Sequence, residues 1–324
     1  MPPLYPLTFR PVLKRYLWGG RRLGSVLGKP LGEGSDYAES WEVVDHGGDQ
    51  TAVANGSLAG VTLGELVRTH GAELFGSSGQ FERFPLLFKF LDAQRDLSVQ
   101  VHPDDAAAAK LDPPDLGKTE AWLILDALPG AKVYAGLIPG LDRASLAREI
   151  AAGRTEQCLA SIEPRPGDCL FIPAGTVHAL GAGLLVAEIQ QASDTTYRLF
   201  DWNRVGADGR PRPLHIEPGL AVIDYAATRV VPQTPQPTER PHVERLVACD
   251  KFVLDRWRIG RSGAGRQTLG GDGRFHIVSV LAGEARLADL ELARGQTVLL
   301  PASVGAVNLN AAAGVELLDM YLPK

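Results

Sequence analysis

The sequence predicts a mainly β fold with two domains and one small helical insertion. Short apolar runs broken by glycine and proline recur along the chain, which is typical of many short strands. Residues 232–241 are rich in proline and show no apolar periodicity, so we expect an extended linker there. A chain of 324 residues is long enough for two domains, predicted at 1–231 and 242–324.

The composition argues against several classes of protein. Hydrophobic residues make up 45% and charged residues 22%, as in ordinary globular proteins. A net charge of -5 without a basic block argues against a nucleic-acid partner. The sequence has no apolar run of 18 residues and no signal-peptide pattern, so we expect no membrane contact. Three cysteines without a C-x-x-C spacing predict reduced thiols and a cytoplasmic location.

Strands are predicted where polar and apolar residues alternate or where apolar residues run together. In the first domain these segments are 37–44, 84–91, 97–102, 120–125, 131–137, 169–172 and 184–190. In the second domain they are 252–254, 275–280, 298–300 and 316–318. The strands at 120–125 and 131–137 flank a Leu-Pro-Gly turn, so we expect them to form a hairpin.

Two segments of the first domain are predicted to be helical. Thr62 and Glu65 have the spacing of a capping box, so a helix should run from there to about Phe75. Residues 142–162 carry apolar positions at helical spacing and are divided by Gly153, which predicts two short helices. We place the helical insertion of the first domain at about 141–163.

Residues 97–102 carry polar side chains at every second position. Ser98, Gln100 and His102 therefore share one face of the predicted strand. The preceding strand is too apolar to face water, so this polar face borders a core, where polar groups need partners or a metal. With Glu120, the set offers an amide oxygen, an imidazole and a carboxylate, all of which a divalent ion accepts.

A short repeat relates the two domains. Residues 294–302 can be laid over residues 166–174, with Gly, Pro and Ala coinciding around an apolar run. Where the first copy continues to His178, the second has Ala306. We therefore expect a related β fold in both domains and metal ligands in the first domain alone.

Most histidines of the chain are expected to be structural. That group is His46, His70, His215, His242 and His276. His102 and His178 differ because each lies at the edge of an apolar strand and belongs to a set of donors. They are 76 residues apart, so only a fold that joins their strands can make them a site.

With these motifs, the chain resembles the class I mannose-6-phosphate isomerases in their shorter bacterial form. The matching segments are 18–20, 38–41, 84–105, 117–120, 166–178 and 193–202. Gln-x-His-Pro-Asp at 100–104 and Pro-x-Gly-x-x-His at 173–178 are specific when they occur together. Because these proteins are zinc enzymes of the cupin superfamily, the resemblance implies two cupin-like jelly-roll barrels, the second without metal ligands.

The resemblance also implies a set of site residues and one Zn²⁺ per chain. The implied zinc ligands are His102, Glu120 and His178, with Gln100 as the fourth. The implied catalytic residues are Arg198, Lys118 and Glu188, and the implied substrate-binding residues are Lys89 and Glu39.

The implied reaction is the reversible interconversion of D-mannose 6-phosphate and D-fructose 6-phosphate. A base must remove a proton next to a carbonyl and return it to the neighbouring carbon of an enediolate. Zinc would stabilise the developing charge. Lys118, Glu188 and Lys89 are candidate bases, and Arg198 would bind the phosphate or the enediolate oxygen. The expected partner is a small sugar phosphate, and the expected state is a monomer or a weak homo-oligomer.

Two other functions are compatible with the same residues. A cupin metallo-oxygenase would hold iron or copper with similar ligands, but oxygen activation needs no phosphate-binding cation such as Lys118 or Arg198. A non-catalytic sugar-phosphate binding cupin is the second alternative, which the full ligand set disfavours. Structural roles also stay open: Lys89 could snorkel, and Glu188 could simply pair with Arg198. Lys118 and Glu39 could only orient the metal ligands.

Overall fold

The structure is a computed structural model that describes residues 3–205, 209–226, 229–260 and 265–324. It is mainly β, as the sequence predicts. The strands are β1 (Leu7–Arg10), β2 (Val12–Gly20), β3 (Tyr37–Val43), β4 (Asp45–His46), β5 (Asp49–Gln50), β6 (Ala52–Val53), β7 (Leu86–Ala93), β8 (Val99–Val101), β9 (Glu120–Ala127), β10 (Val133–Leu137), β11 (Leu159–Ile162), β12 (Cys169–Ile172), β13 (His178–Leu180), β14 (Leu184–Gln191), β15 (Tyr197–Phe200), β16 (Gln236–Pro237), β17 (Val243–Ala248), β18 (Val253–Ile259), β19 (Gly265–Leu269), β20 (His276–Ala282), β21 (Glu284–Leu287), β22 (Leu290–Ala293), β23 (Thr297–Leu300), β24 (Val307–Ala311) and β25 (Val315–Tyr321).

The helices are few and short. They are α1 (Arg22–Ser25), α2 (Leu63–Phe75), α3 (Asp105–Ala108), α4 (Arg143–Ala151) and α5 (Ile216–Val222). The capping-box prediction for α2 is confirmed, because Thr62 accepts from the Glu65 backbone while the Glu65 carboxylate accepts from the Thr62 backbone. No helix among the described segments is long and apolar enough to cross a membrane.

Four large sheets form two facing pairs. The N-terminal sheet pair consists of a six-stranded sheet, β12-β9-β14-β7-β3-β2, and a five-stranded sheet, β11-β10-β13-β8-β15. The C-terminal sheet pair consists of an eight-stranded sheet, β16-β17-β18-β25-β20-β23-β1-β6, and a four-stranded sheet, β19-β24-β21-β22. A small two-stranded sheet, β4-β5, completes the set. This arrangement agrees with the predicted cupin-like fold.

The central strands of the six- and eight-stranded sheets are buried on both faces, whereas strands such as β21 and β24 alternate between a buried and an exposed face. The backs of the six- and eight-stranded sheets share one core, in which Phe88 and Phe90 meet Phe275 and Met320 beside Phe75 of α2. The inner faces form separate cores within each sheet pair. A continuous apolar layer therefore joins the two halves. The candidate site described below is built on the other face of the same six-stranded sheet.

The outer face of the five-stranded sheet carries the helical insertion. Leu146 of α4 and Leu220 of α5 pack against Val99 and Ala179 on that face. The predicted second helix of the insertion is wrong, because a 3₁₀ turn at Thr155–Cys158 leads directly into β11. The strand forms there because β11 can pair with the free edge of β10.

The predicted hairpin at 120–137 is also wrong. β9 pairs with β12 and β14, whereas β10 pairs with β11 and β13. The Leu-Pro-Gly segment at 128–130 therefore carries the chain from one sheet to the facing one. A local turn pattern does not distinguish a hairpin from such a crossing, because both need the same reversal.

The proline-rich segment pairs with strands on both sides of the predicted boundary. Pro232 forms a bridge with Leu170, and Gln236 and Pro237 extend the edge of the eight-stranded sheet as β16. That sheet also recruits β1 and β6 from the N-terminal half. Because this sheet contains strands from both sides of residue 231, the domain boundary placed there stays a prediction.

Six neighbouring strands occur in the same order in both halves. The order β12-β9-β14-β7-β3-β2 in the first corresponds to β23-β20-β25-β18-β17-β16 in the second, all antiparallel. The predicted repeat shows how the two sheets correspond residue by residue, because it aligns Ile172 of β12 with Leu300 of β23. The opposite residues are then Glu120 in the first half and His276 in the second.

Candidate active site

Three predicted metal ligands come together between the sheets of the N-terminal pair. Glu120 begins β9 of the six-stranded sheet, His178 begins β13 of the facing sheet, and His102 directly follows β8. Their candidate ligand atoms all lie within 4.8 Å of one another, and each residue is at most 1% exposed. The close approach of Gly117 to Asp105 helps to position Glu120, because a Cβ on Gly117 would lie 2.5 Å from the Asp105 backbone nitrogen.

Both histidines are oriented by backbone carbonyl groups. His102 Nδ1 lies 2.9 Å from the Thr195 carbonyl oxygen, and His178 Nδ1 lies 2.9 Å from the Thr176 carbonyl oxygen. A carbonyl can only accept, so Nδ1 carries the proton in each ring. Each Nε2 therefore carries a lone pair: His102 Nε2 lies 3.2 Å from Lys118 Nζ, and His178 Nε2 lies 3.2 Å from Glu120 Oε1. Metal-binding histidines are held in the same way, with the other ring nitrogen fixed by a hydrogen bond.

Glu120 provides the buried anion of this cluster. Its Oε1 lies 3.2 Å from His178 Nε2, and its Oε2 lies 3.7 Å from His102 Nε2. Neither oxygen accepts a hydrogen bond of ordinary geometry from the described residues. Two imidazole nitrogens and an unsatisfied carboxylate therefore fit a divalent metal ion, which accepts nitrogen and oxygen donors.

Electrostatics keep these groups in the form that binds metal. Burial raises the pKa of Glu120, but the Lys118 ammonium outweighs this and holds the pKa well below its usual range. Burial and the same ammonium lower the pKa of His102 well below its usual value. Glu120 is therefore ionised and His102 neutral at pH 7.

Gln100 borders the cluster but is only partly buried. Its Nε2 lies 3.3 Å from His178 Nε2. Rotation of the amide by 180° would present Oε1 to the same position. Its role as a fourth ligand stays a prediction.

Alternating charges extend from the cluster into the pocket. Lys118 Nζ lies 2.9 Å from Glu120 Oε2 and 3.9 Å from Glu188 Oε1. Lys89 Nζ lies 3.2 Å from Glu188 Oε1 and 3.3 Å from Glu39 Oε2. All five side chains are at most 7% exposed. Two ammonium groups between three carboxylates give this row a net negative charge, which suits a site that also holds a cation.

Among these charged groups, Glu188 is suited to exchange a proton near neutral pH. Burial and the Glu120 carboxylate raise the pKa of Glu188 to about 7, although Lys89 and Lys118 oppose the rise. Burial lowers the pKa of Lys89, but Glu188 and Glu39 more than offset it, so the pKa is raised and the ammonium persists. The predicted base role therefore suits Glu188 better than Lys89.

Strand register explains why distant residues meet here. Across the six-stranded sheet, Glu188 lies opposite both Trp122 and Lys89, and Lys89 lies opposite Trp41. Across the facing sheet, Gln100 lies opposite both His178 and Arg198. These two rows face each other, since their side chains all point into the sheet pair.

A pocket of about 300 Å³ opens above the cluster. The predicted residues that line it are Glu39, Lys89, Gln100, Lys118, Glu188 and Arg198. Its other lining residues are Tyr16, Trp18, Leu91, Leu97, Ser98, Trp122, Leu180, Asp194, Thr196 and Arg212. His102, Glu120 and His178 do not line this pocket but lie beneath its surface, next to Lys118.

Arg198 lies at the pocket with unused donor capacity. Its Nη1 donates to the Pro213 carbonyl oxygen at 3.0 Å, while its buried Nε has no partner among the described residues. Burial and the nearby Arg212 lower the pKa of Arg198. Two guanidinium groups at one pocket favour an anionic ligand.

Sequence reasoning missed two functional candidates in this pocket. Arg212 has no motif around it and is brought to the pocket by its paired contacts with Asp201. Tyr16 stacks on Trp18, and burial with the Glu39 carboxylate raises the pKa of Tyr16 to about 12. Tyr16 lies two residues before the segment 18–20, which resembles the family, and this proximity is the sequence feature that could have identified it.

Comparisons with known proteins point to a single family. The family model for the catalytic domain of phosphomannose isomerase type I matches residues 7–119. The chain is 36% identical over 319 residues to the mannose-6-phosphate isomerase ManA of Bacillus subtilis, covering 95% of this chain and 96% of that protein. It is also 36% identical to a mannose-6-phosphate isomerase of Streptococcus mutans, covering 92% of this chain and 93% of that one.

A solved structure is similar over nearly the whole chain. The crystal structure of the mannose 6-phosphate isomerase from Bacillus subtilis matches with a TM-score of 0.89 and 31% identity. The match covers 98% of this chain and 100% of that one. The likeness thus includes the C-terminal sheet pair, which lies outside the matched catalytic-domain segment.

Proposed function

We propose that this chain, which belongs to the phosphomannose isomerase type I family, reversibly interconverts D-mannose 6-phosphate and D-fructose 6-phosphate. The observation that carries the proposal is the buried cluster of His102, Glu120 and His178 next to the Lys118–Glu188 row. An aldose–ketose isomerisation needs a group that moves a proton and a cation that stabilises the enediolate. Both requirements are met within one pocket.

The metal is proposed to be one Zn²⁺ per chain, held by His102, Glu120 and His178, with Gln100 as the fourth ligand. Nitrogen and carboxylate donors with a remaining open position are typical of catalytic zinc. When bound, the ion supplies Lewis-acid stabilisation of oxygen atoms that gain negative charge. The carbonyl partners of the histidine Nδ1 atoms support this assignment, since they fix both rings.

Proton transfer is assigned to Glu188 with the help of Lys118. A carboxylate whose pKa is about 7 can take a proton from one carbon and return it to the next without a large energetic cost. Lys118 lies between Glu188 and Glu120, so its ammonium can donate a hydrogen bond to an enediolate oxygen near the ligands. Lys118 is therefore a catalytic residue that stabilises charge.

Substrate binding is assigned to three further side chains. Arg198 lines the pocket and offers its guanidinium group to the phosphate or to the enediolate oxygen. Glu39 and Lys89 end the row of alternating charges and are placed to bind sugar hydroxyl groups. Trp41 orients Glu39, because its Nε1 donates to Glu39 Oε2 at 2.5 Å.

The test is a coupled assay for fructose 6-phosphate formed from mannose 6-phosphate. Activity should disappear when a chelator removes the metal and return when zinc is restored. A control with the chelator already saturated by zinc separates metal removal from direct inhibition. A folded, zinc-loaded sample that shows no turnover would overturn the proposed function.

Two further measurements decide against the alternatives. Oxygen uptake that depends on the metal would favour a metallo-oxygenase, and binding of the sugar phosphate without turnover would favour a binding module. We favour neither, since the Lys118–Glu188 row suits the proton transfer and charge stabilisation that an isomerisation needs. A cytoplasmic location and a monomeric or weakly associating state are proposed as well, supported for the location by three unpaired cysteines.

A further inference from the structure

A second polar cavity lies in the C-terminal sheet pair. Its volume is about 760 Å³, within the range of small-molecule pockets. Asp255, Trp257, His276, Asp319 and Tyr321 line it, and each is at most 6% exposed. Its rim includes exposed residues of the segment 236–240. We call this the C-terminal cavity.

The floor of this cavity occupies the same ladder positions as the floor of the candidate active site. In the first half the row across the sheet is Trp122, Glu188, Lys89 and Trp41. In the second half the corresponding row is Val278, Asp319, Asp255 and Arg245. In the next row of the first half, Gln190 lies opposite Glu120. The corresponding residues of the second half are Tyr321 and His276. The fold thus presents polar side chains to a cavity at the same place twice.

The polar groups of the floor are arranged without any ligand. Arg245 donates two hydrogen bonds to Asp255, and the Tyr321 hydroxyl donates to Asp255 Oδ2 at 2.6 Å. His276 Nδ1 lies 2.7 Å from Asp319 Oδ1. The Trp257 indole N–H has no partner among the described residues although its side chain is buried. The floor is thus fixed before any ligand binds, as in a preformed ligand pocket.

A purely structural role accounts poorly for this cluster. Buried ion pairs lose hydration that their mutual attraction does not fully replace, so an apolar filling would be at least as stable. The remainder of the same sheet pair is filled in that way, by Leu287, Leu309 and Leu317. The charged end is also the end that remains open as a cavity. Charge and space therefore occur together where a ligand could use both.

The charges of the lining select the class of ligand. Its cationic residues are Arg240, Arg245, Arg274 and His276, and its acidic residues are Glu239, Asp255, Asp272 and Asp319. Burial lowers the pKa of His276, but the Asp319 and Asp272 carboxylates more than offset this and raise it to about 9. The lining is therefore neutral in sum at pH 7. Alternating donors and acceptors without net charge match a ligand whose groups both donate and accept hydrogen bonds.

We propose that the C-terminal cavity binds a small uncharged polyol of the sugar class. Ligand hydroxyl groups donate to the Asp255 and Asp319 carboxylates and accept from the guanidinium groups of Arg240 and Arg274, which also line the cavity. Because this site lies in the other half of the molecule from Lys118 and Glu188, its occupancy does not require the isomerase reaction. The proposal can therefore fail while the proposed function stands.

The test is calorimetric titration of the full chain with D-mannose, D-glucose and D-mannitol. We expect saturable binding of at least one of these sugars, with a dissociation constant of about 10 mM or lower. Binding should persist in Lys118→Ala, which alters the active-site pocket, and should weaken roughly tenfold in Tyr321→Phe. Tyr225→Phe is the matched control, because that hydroxyl donates to the Leu220 carbonyl oxygen outside the cavity.

Several results would overturn the proposal. One such result is the absence of saturable binding for all three sugars. A second is loss of binding in Lys118→Ala, and a third is unchanged binding in Tyr321→Phe. Binding restricted to mannose 6-phosphate would contradict the uncharged class. If Tyr321→Phe fails to fold, a crystal of the unaltered protein soaked in the best probe decides: density is expected in the cavity, and an empty cavity refutes the site.

Discussion

The two halves of this molecule use one strand order to build two different polar floors. Glu120 in the first half and His276 in the second lie opposite equivalent residues of β12 and β23. Glu120 faces two histidines from the opposite sheet, whereas the sheet opposite His276 offers apolar side chains such as Leu287 and Leu309. The ladder position alone therefore does not make a metal site; the facing sheet must supply the other donors.

The two floors also differ in how their charges are satisfied. Glu120 Oε2 forms an ion pair with Lys118 Nζ at 2.9 Å, whereas Glu120 Oε1 accepts no hydrogen bond of ordinary geometry from the described residues and is available to a metal. In the second half, Asp319 is bound by His276, and Asp255 is bound by Arg245 and Tyr321. An unsatisfied buried carboxylate is costly and indicates a missing cation, while a satisfied one indicates a stable surface for binding.

The largest expected effect comes from Glu120→Gln. Removing the anionic ligand should lower metal content and reduce kcat on the order of 100-fold or more, since even partners of metal ligands contribute 10–100-fold. Metal analysis and the coupled assay measure both. Glu73→Gln, at an exposed position of α2, is the matched control. Full zinc content with normal turnover in Glu120→Gln would refute the assigned ligand.

A comparison of Arg198→Lys with Arg245→Lys tests whether the arginine of the active-site pocket contributes to catalysis while the arginine of the C-terminal cavity does not. Lysine keeps the charge but loses the fork of donors, so Arg198→Lys should lower kcat/KM for mannose 6-phosphate by about 100-fold. Arg245→Lys should leave kcat/KM within about twofold, because it lies in the other half. Equal losses in both variants would indicate a general effect on folding and contradict the assignment.

The pH dependence of turnover should report Glu188. With a raised pKa of about 7, its carboxylate form decreases as the pH falls below 7, so kcat/KM should drop nearly tenfold per pH unit there. Asp319→Asn, at the equivalent position of the second half, should leave this acid limb unchanged. A flat profile from pH 5 to 8 would exclude Glu188 as the base.

The smallest effect is expected on stability and concerns His276. Its pKa in the folded chain is about 9, above the ordinary value of 6.5, so protonation favours folding. This contribution is complete below pH 6.5 and is lost as the pH rises through 9, amounting to at most about 3 kcal/mol. Urea unfolding of the unaltered chain and His276→Gln between pH 6 and 10 should show converging free energies. Parallel curves would refute the coupling.

Local pattern was sufficient for much of the candidate site. The alternation at 97–102 placed Gln100 and His102 on one face, and in the structure that face borders the cluster. The prediction that His102, Glu120 and His178 belong together rested on their residue types and on the family resemblance. The roles assigned to these residues stay predictions until the variants are measured.

The errors share one physical cause. The expected hairpin at 120–137 failed because the strands that flank a turn can join different sheets. Arg212 was missed for a similar reason, since an ion pair with Asp201 brings it to the pocket.

By itself, the sequence determined many of the strand segments, which residues could bind a metal and which family the chain resembles. These properties depend on side-chain chemistry and on periods of two or four residues, which are local. The tertiary structure alone decided which strands pair, which sheets face each other and where cavities remain. Those properties depend on contacts between residues distant in sequence, and such contacts bring Glu188 to Lys118 and enclose the C-terminal cavity.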